Sequence, residues 1–513
     1  MAMGYVLLHS GQTSAKRLLR RVQECIGVES VNPVASQDVM IRWGTLTGDD
    51  RAAWTLNPRQ AIENSINRTR MLRILKQNGV YAPSLASSGL EKRPDMARDV
   101  MLDSGKRVKI VRHYRVPIFD LQPLAVFRAD SKSLWLESNV SQAQEKFREV
   151  PLDEDVYAER AVRLSLRALH ALGLDFGMVS IGITSADRTI CLDVTASPKL
   201  NVRLLELFED ALQAFITRDR SEERQYEQHG RNPHPFLIGT DLEFMLRSPR
   251  GKMVLASKFL PRSGPVGCDD RSLNLDGERF PLAEIRPSPA RSPGELMSNI
   301  RRTLQEAAGL ITARNVQWVA GSMPFPRFPI GGHVHFSDVN FSSRLVKALD
   351  NYVGFPVMMI EAGQTAVKRR PKYGFLGDVR FKDHGGFEYR TPGSWLVSPE
   401  ISEAVVYLSY LVVMHYRELD ADLFVKPGMQ RLFYRAYKQE LRPHFERIWK
   451  SIEATSTYKQ YKSTLEIIPE MVRQGIAWNE AADLRQSWGL QQPAAPRPVV
   501  SARRGRGGSQ SAR

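Results

Sequence analysis

Between residues 236 and 392, short apolar runs are interrupted at every second position by a charged or imidazole group. Gly239-Thr-Asp-Leu-Glu-Phe244 carries Asp241 and Glu243, Ile330–Ser337 carries His333 and His335, and Phe387–Pro392 carries Glu388 and Arg390. Alternate residues of a strand point to one face. A strand aiming two carboxylates, two imidazoles or a carboxylate and a guanidinium the same way does not bury that face in an apolar core. The pattern therefore predicts three strands around a polar cavity on a sheet. Gly331-Gly332 fits, because strand glycines allow close backbone or ligand approach.

Other stretches follow the helical period. Ser292-Pro-Gly-Glu295 is a capping box, and Met297, Ile300, Leu304, Ala308 and Ile311 form an apolar stripe that reads as core. Asn57-Pro-Arg-Gln60 opens a helix, with Asn57 as cap and Gln60 reaching back, that ends at Asn78-Gly79. Further helices are expected over Ser14–Cys25, Leu152–Leu172, Leu204–Arg218 and Ser343–Glu361. Pro399–Tyr416 reads as a buried helix, and more helices follow to about Trp488. Strands are expected at Met3–Ser10, Val39–Trp43, Val108–Val116, Leu121–Arg128, Gly177–Ile183, Thr189–Val194 and Leu282–Arg286. The stretch Arg218–Pro235 is charged, poor in apolar residues and proline-bearing, which reads as a linker between two halves.

The length, 513 residues, allows two to four domains, and a 42% hydrophobic content suffices for sizeable cores. Cys25, Cys191 and Cys268 show no pairing pattern, which argues for a reducing compartment and against a structural zinc site. No signal pattern opens the chain and the longest apolar run is too short to span a bilayer, so a soluble cytoplasmic protein without membrane contact is expected. The net charge is +16; the tail Gln491–Arg513, which reads as disordered, holds five arginines and no acids, leaving +11 elsewhere. Such a balance suits nucleic acid or a protein handling ATP and an acidic substrate. Zinc-finger, RRM-like and basic-zipper patterns are missing, so nucleic acid is the weaker reading.

Carboxylates with histidine suit Mg²⁺ or Mn²⁺, and arginines suit phosphate. Taken singly, His-x-His is more often a hydrogen-bonded strand pair, and Glu388/Arg390 or Glu284/Arg286 could be surface cross-strand charges. Their co-occurrence favours a site. The set, together with Ala283-Glu-Ile-Arg-Pro287 and Tyr373-Gly-Phe-Leu-Gly-Asp-Val-Arg380, resembles the glutamine synthetase-like superfamily of carboxylate–amine ligases over about Phe236–Met414, and most nearly its phage-type amidoligases. That resemblance implies an antiparallel-sheet catalytic domain using ATP and Mg²⁺ or Mn²⁺. It implies metal ligands at Asp241, Glu243, Glu284, His333 and Glu388, and nucleotide or phosphate contacts at Arg286, Arg380, Arg390 and His335. Glu243, Glu284, Arg380, Glu388 and Arg390 would carry catalysis. Which histidine ligates is not readable, and Asp241 departs from the more usual Glu-x-Glu.

In the N-terminal half, Leu172–Ile183 followed by Cys191–Pro198, Arg112-His-Tyr-Arg-Val-Pro117, and the helix from Asn57 with the following Gly-Val-Tyr-Ala-Pro83 resemble an ATP-grasp domain of the endospore-coat type, over Val39–Ile216. That family places Asp, Glu and Asn where Ser180, Asp193 and Thr195 stand, and these ligate Mg²⁺–ATP. Only Asp193 keeps a carboxylate, and Arg68 lies where a nucleotide-binding lysine is expected. Losing two such ligands weakens metal binding, so the resemblance implies a degenerate ATP-grasp.

The expected architecture is α+β: an ATP-grasp-like α/β domain over 1–217, a linker over 218–235, a ligase domain over 236–420, a helical extension over 421–489 and a basic tail over 490–513. The expected function is ATP- and Mg²⁺-dependent joining of a carboxylate to an amine, small or polypeptide, through an acyl phosphate. The rivals are a tandem ligase with an active ATP-grasp half, a non-catalytic scaffold, and a nucleic-acid binder using the tail. Neither the substrates nor the oligomeric state can be read.

Overall fold

A computed structural model describes residues 4–85, 99–130, 147–228, 236–382 and 385–490. The tail and the final third of the expected linker fall outside these residues. The chain is α+β, as expected, with three sheets. The first has four parallel strands in the order Cys25–Val28, Tyr5–Leu8, Val39–Arg42 and Trp54–Leu56. The helix expected over Ser14–Cys25 stops at Leu19, and Cys25 opens a strand instead.

The second sheet is antiparallel, running Thr189–Thr195, Phe176–Thr184, Arg107–Phe119, Val126–Asp130 and Arg148–Val150, with two short strands added to Arg107–Phe119. The helix Val156–Ala171 lays Ala158, Ala161, Ala168 and Leu169 against Val179 and Ile181 of this sheet in one apolar core.

Asn57 does not cap its helix. It is buried with φ +56, its Oδ1 accepts from the Asp175 and Phe176 amides at 2.7 and 3.2 Å, and its Nδ2 donates to the Phe176 carbonyl. Gln60 turns to Glu63 and Asn64 rather than reaching back. The expected single helix is two, Arg59–Ile66 and Arg68–Gln77, with Asn67 capping the second through Arg70 N. Gly79, at φ +68, ends it as the pattern predicted.

The third sheet runs Val266–Cys268, Leu282–Ile285, Leu237–Arg247, Gly332–Ser337, Phe387–Tyr389 and Val379–Phe381, all antiparallel. Behind it lie the helices Pro293–Leu310, whose Ser292 Oγ accepts from Glu295 N at 3.3 Å, and Pro399–His415, which is buried along most of its length. The expected stripe holds: Ile300, Leu304, Ala308 and Ile311 are buried in the core and Met297 is half-buried against it, with Leu296 and Ala307 added.

The stretch read as a linker is helical to Gln228, the end of Val202–Gln228. Its acids lie on one helical face, and Arg417 binds Asp219, Glu222 and Glu223 at 2.7, 3.1 and 2.7 Å. The charge read as part of a linker is thus an anchor. Other buried polar links join the halves. Lys347 Nζ lies 2.9 Å from Asp175 Oδ1, both largely buried. His170 Nε2 meets Asp350 Oδ2 at 2.7 Å, and Asn64 Nδ2 donates to the Val425 carbonyl. Among the described residues, no helix is long and apolar enough to cross a membrane.

Candidate functional site

Register assembles the site. Across the third sheet, Glu243 pairs with Glu284, Asp241 with His333, His335 with Glu388, and Glu388 with Arg380. Because each residue alternates on its own strand, these cross-strand neighbours bring their polar groups to one face. All of them but His335 line a cavity of about 280 Å³. Of the nine residues singled out from sequence, Asp241, Glu243, Glu284, Arg286, His333, Arg380, Glu388 and Arg390 line it. His335 does not line it, but its Nε2 lies 3.1 Å from Asp241 Oδ2.

Two clusters of donors converge. One atom each from Asp241, His335 and Glu388 lies within 4.8 Å of the others, and the same holds for Glu243, Asp269 and Glu284. Such oxygen-rich sets, one with a single imidazole, fit Mg²⁺ or Mn²⁺. His333 is placed differently. Its Nδ1 sits 2.7 Å from Asp241 Oδ1 and 3.0 Å from Glu388 Oε1, so the ring bridges the two carboxylates. The absence of a side chain at Gly331 makes room for that ring.

Cations close the cavity. Lys382 Nζ lies 2.7 Å from Glu388 Oε2, Arg390 Nε 3.0 Å from Glu388 Oε1, and Arg380 Nε 3.7 Å from Glu388 Oε2. On the other side Arg271 Nη2 donates to Glu243 Oε2 at 2.7 Å and its Nε to Asp269 Oδ1 at 2.6 Å, while Gly331 N also donates to Glu243. Arg286 pairs with Glu284. Arg369, buried, ties its guanidinium to the carbonyls of Arg390, Thr391 and Pro392.

This electrostatic arrangement splits the carboxylates. Burial opposes the charge on Asp241, but His333 and His335 overcome it and hold the carboxyl well below its usual range. Burial likewise opposes Glu388, which the His333 hydrogen bond and charge bring down to about 2. Burial lifts Glu284 to about 8, helped by the charge of Asp241. Glu243 is raised by burial despite Arg271. Burial disfavours the His333 cation, yet Asp241 and Glu388 carry it up to about 9.

Sequence reasoning missed Asp269, Arg271 and Lys382. Lys382 follows Arg380 by two positions and obeys the same alternation, so that signal was available. Asp269 and Arg271 sit in the loop after Val266–Cys268, where no period marks them.

Asp350 links the site to the N-terminal half. It opens a π-helical turn, Asp350–Gly354, and its Oδ1 accepts from Tyr389 OH at 2.9 Å and Gly377 N at 3.0 Å while Oδ2 meets His170. Gly377, at φ +71, lies so close to His170 that any side chain there would collide with the ring. Arg167 stacks 3.7 Å from the Phe375 ring centre and donates to the Pro371 carbonyl.

In the second sheet, Ser180 faces Asp193 across the strand pair. Asp193 lies 3.5 Å from Arg68 and accepts from Thr195 Oγ1 at 3.5 Å.

No curated protein matches this chain. Among solved structures, a bifunctional glutathione synthetase from Pasteurella multocida is similar at 12% identity, with 52% of this chain and 49% of that one covered and a TM-score of 0.32. The chain thus spans about half the length of that protein. The ATP-grasp ligase PsnB complexed with a minimal precursor, Mg and ADP is 13% identical over 42% of this chain and 98% of its own, TM-score 0.29. The macrocyclase MdnC from Microcystis aeruginosa MRC, bound with the precursor peptide MdnA, is 9% identical over 42% of this chain and 100% of its own, TM-score 0.29. The residues that line the cavity lie within a stretch, residues 238–490, that matches the model of the phage phiEco32-like COOH.NH2 ligase-type 2 family.

Proposed function

We propose that the protein is an ATP-dependent carboxylate–amine ligase working in the cavity of the third sheet. The observation that carries this is the convergence of two clusters of metal donors with Arg271, Arg286, Arg380, Lys382 and Arg390 around one cavity. Joining a carboxylate to an amine at neutral pH requires an activated carboxyl group. A substrate carboxylate oxygen attacks the γ-phosphorus of ATP, the bond to the β,γ-bridging oxygen breaks, and ADP leaves with the electron pair. The amine nitrogen then attacks the acyl carbon, phosphate leaves with its electron pair, and the nitrogen gives up a proton.

The residues divide this work by chemistry. Asp241, His335 and Glu388, and Glu243, Asp269 and Glu284, would hold Mg²⁺ or Mn²⁺, which offsets charge on the γ-phosphoryl oxygens. In this reading the ligand is His335, and His333 orients Asp241 and Glu388, the reverse of the roles the resemblance implied. Arg380, Arg390 and Lys382 face the phosphates and hold the transferring group in line. Arg271 orients Glu243 and Asp269, and Arg369 fixes the backbone that follows Arg390.

In the same reading the N-terminal half is a degenerate ATP-grasp that no longer holds Mg²⁺–ATP. Its support is the lone carboxylate of Asp193, set beside Arg68 and facing Ser180. Three cysteines, all free and buried, suit a reducing compartment.

The test is titration of a non-hydrolysable ATP analogue with Mg²⁺ into the full chain, the Glu243→Gln variant and the Asp193→Asn variant. One binding event, lost in Glu243→Gln only, is expected. Two events, each lost in its own variant, would make the protein a tandem ligase, and no binding at all would make it a scaffold.

A further inference from the structure

A second cavity, of about 610 Å³, opens where the helix Arg68–Gln77 meets the helix Met429–Tyr434 and the turn at Arg370-Pro371. Its walls have a one-sided charge. Lys76, Arg370, Arg431 and Arg435 line it, and among the described residues no carboxylate does. Arg431 lies in the last turn of Met429–Tyr434 and Arg435 caps its C-terminus; both are exposed and have no acidic partner among the described residues. Lys76 has an acidic partner, Asp103, but that group does not line the cavity.

Arg370 is held differently. It is buried, and its Nη1 is held by Glu361 Oε2 at 2.6 Å. Its Nε and Nη2 have no hydrogen-bond partner among the described residues. Both atoms are sealed from solvent and the guanidinium lies 4.9 Å from the Phe433 ring centre, so Arg370 stands in the cavity wall without presenting that edge to it.

We propose that this cavity binds a small polyanion carrying two or more oxyanionic groups, an oligophosphate or a polycarboxylate, separately from the ligase cavity. The volume falls in the range of ordinary small-molecule sites. Arg431 and Arg435 at the mouth attract the ligand, and Lys76 takes one of its oxyanionic groups. The polypeptide connects the two cavities directly. Arg369 lines the ligase cavity and ties down residues 390–392, and the next residue, Arg370, lines the polyanion cavity.

The experiment is calorimetric titration of the full chain with tripolyphosphate and, separately, with citrate at low ionic strength. It is repeated on an Arg431→Ala/Arg435→Ala double variant and on Arg380→Ala, which alters the ligase cavity alone. Binding of at least one probe is expected as an event at least tenfold weaker in the double variant and falling steeply with added salt; Arg380→Ala leaves that event unchanged and weakens only a second event at the ligase cavity. Because both mouth arginines are exposed, the melting temperature of the double variant should match that of the parent chain. Preference for tripolyphosphate or for citrate identifies which polyanion the site takes. Equal affinity in the double variant, loss in Arg380→Ala instead, or no binding of either probe to the parent chain overturns the proposal.

Discussion

The two antiparallel sheets start from the same device and end differently. Each sets polar groups at alternate positions of neighbouring strands. In the third sheet the register multiplies them: Glu243 stands beside Glu284, Asp241 beside His333, and Glu388 between His335 and Arg380. In the second sheet the equivalent device gives Ser180 beside Asp193, with Arg68 close to the one carboxylate. A strand bearing one acid makes a paired charge; strands bearing acids in register make a donor cluster. The difference lies in what each strand finds beside it.

The sharpest break between the sheets is catalytic. Glu388→Gln should lower ATP-dependent ADP release by at least the hundredfold to thousandfold typical of losing one key electrostatic group, about 10²–10³, whereas Asp193→Asn should stay within about threefold, a change worth well under 1.4 kcal/mol. Equal losses would mean that both sheets do chemistry. Next in size is the joint between the halves. Lys347→Met leaves Asp175 buried without its cation and should destabilise the chain by about 3–5 kcal/mol, read by urea unfolding. A separate early transition of one half would show that the halves are not coupled through this pair.

The two histidines offer a finer comparison within the third sheet. His335→Ala should remove a donor and His333→Ala the group that orients Asp241 and Glu388. The second change should weaken Mn²⁺ binding roughly tenfold to a hundredfold, and the first by more. Mn²⁺ titration followed by electron paramagnetic resonance checks the order, and the opposite order would return the ligand role to His333.

The smallest effect is on pH. Glu284 rises from its ordinary range near 4.5 to about 8 in the fold, and His333 from near 6.5 to about 9. Between pH 6.5 and 8 the folded chain therefore keeps protons on both groups that the unfolded chain has released, and stability falls as pH rises. Metal-free protein should melt several degrees lower at pH 8 than at pH 6.5. Mg²⁺ should reverse that trend, because it favours the deprotonated carboxylate. A melting temperature that rises with pH in chelator would contradict the protonation pattern of the site.

Most of the site could be read because strand alternation is a local signal. Asp241, Glu243, His333, Glu388 and Arg390 each announce themselves two residues from a partner. Register is not local, so the pairing of Glu243 with Glu284 and the bridging role of His333 needed the fold. Asp269 and Arg271 act from a loop and leave no period. The errors share a cause as well. Asn57 carries a capping pattern, but its amide is captured by backbone 118 and 119 residues away. Arg218–Gln228 has the composition of a linker, but its acids are matched by Arg417, almost 200 residues later. Partners that distant cannot be seen in a window of sequence.

The contact of His170 with Asp350 bears on how such a chain changes over generations. A substitution in the helix Val156–Ala171 is felt at Tyr389, between Glu388 and Arg390, through one shared carboxylate. Selection acting on the ligase cavity therefore also screens the N-terminal helix, whatever becomes of the sheet beneath it. A recombination joint between the two halves would have to restore both sides of that carboxylate, His170 on one and Tyr389 and Gly377 on the other, at once.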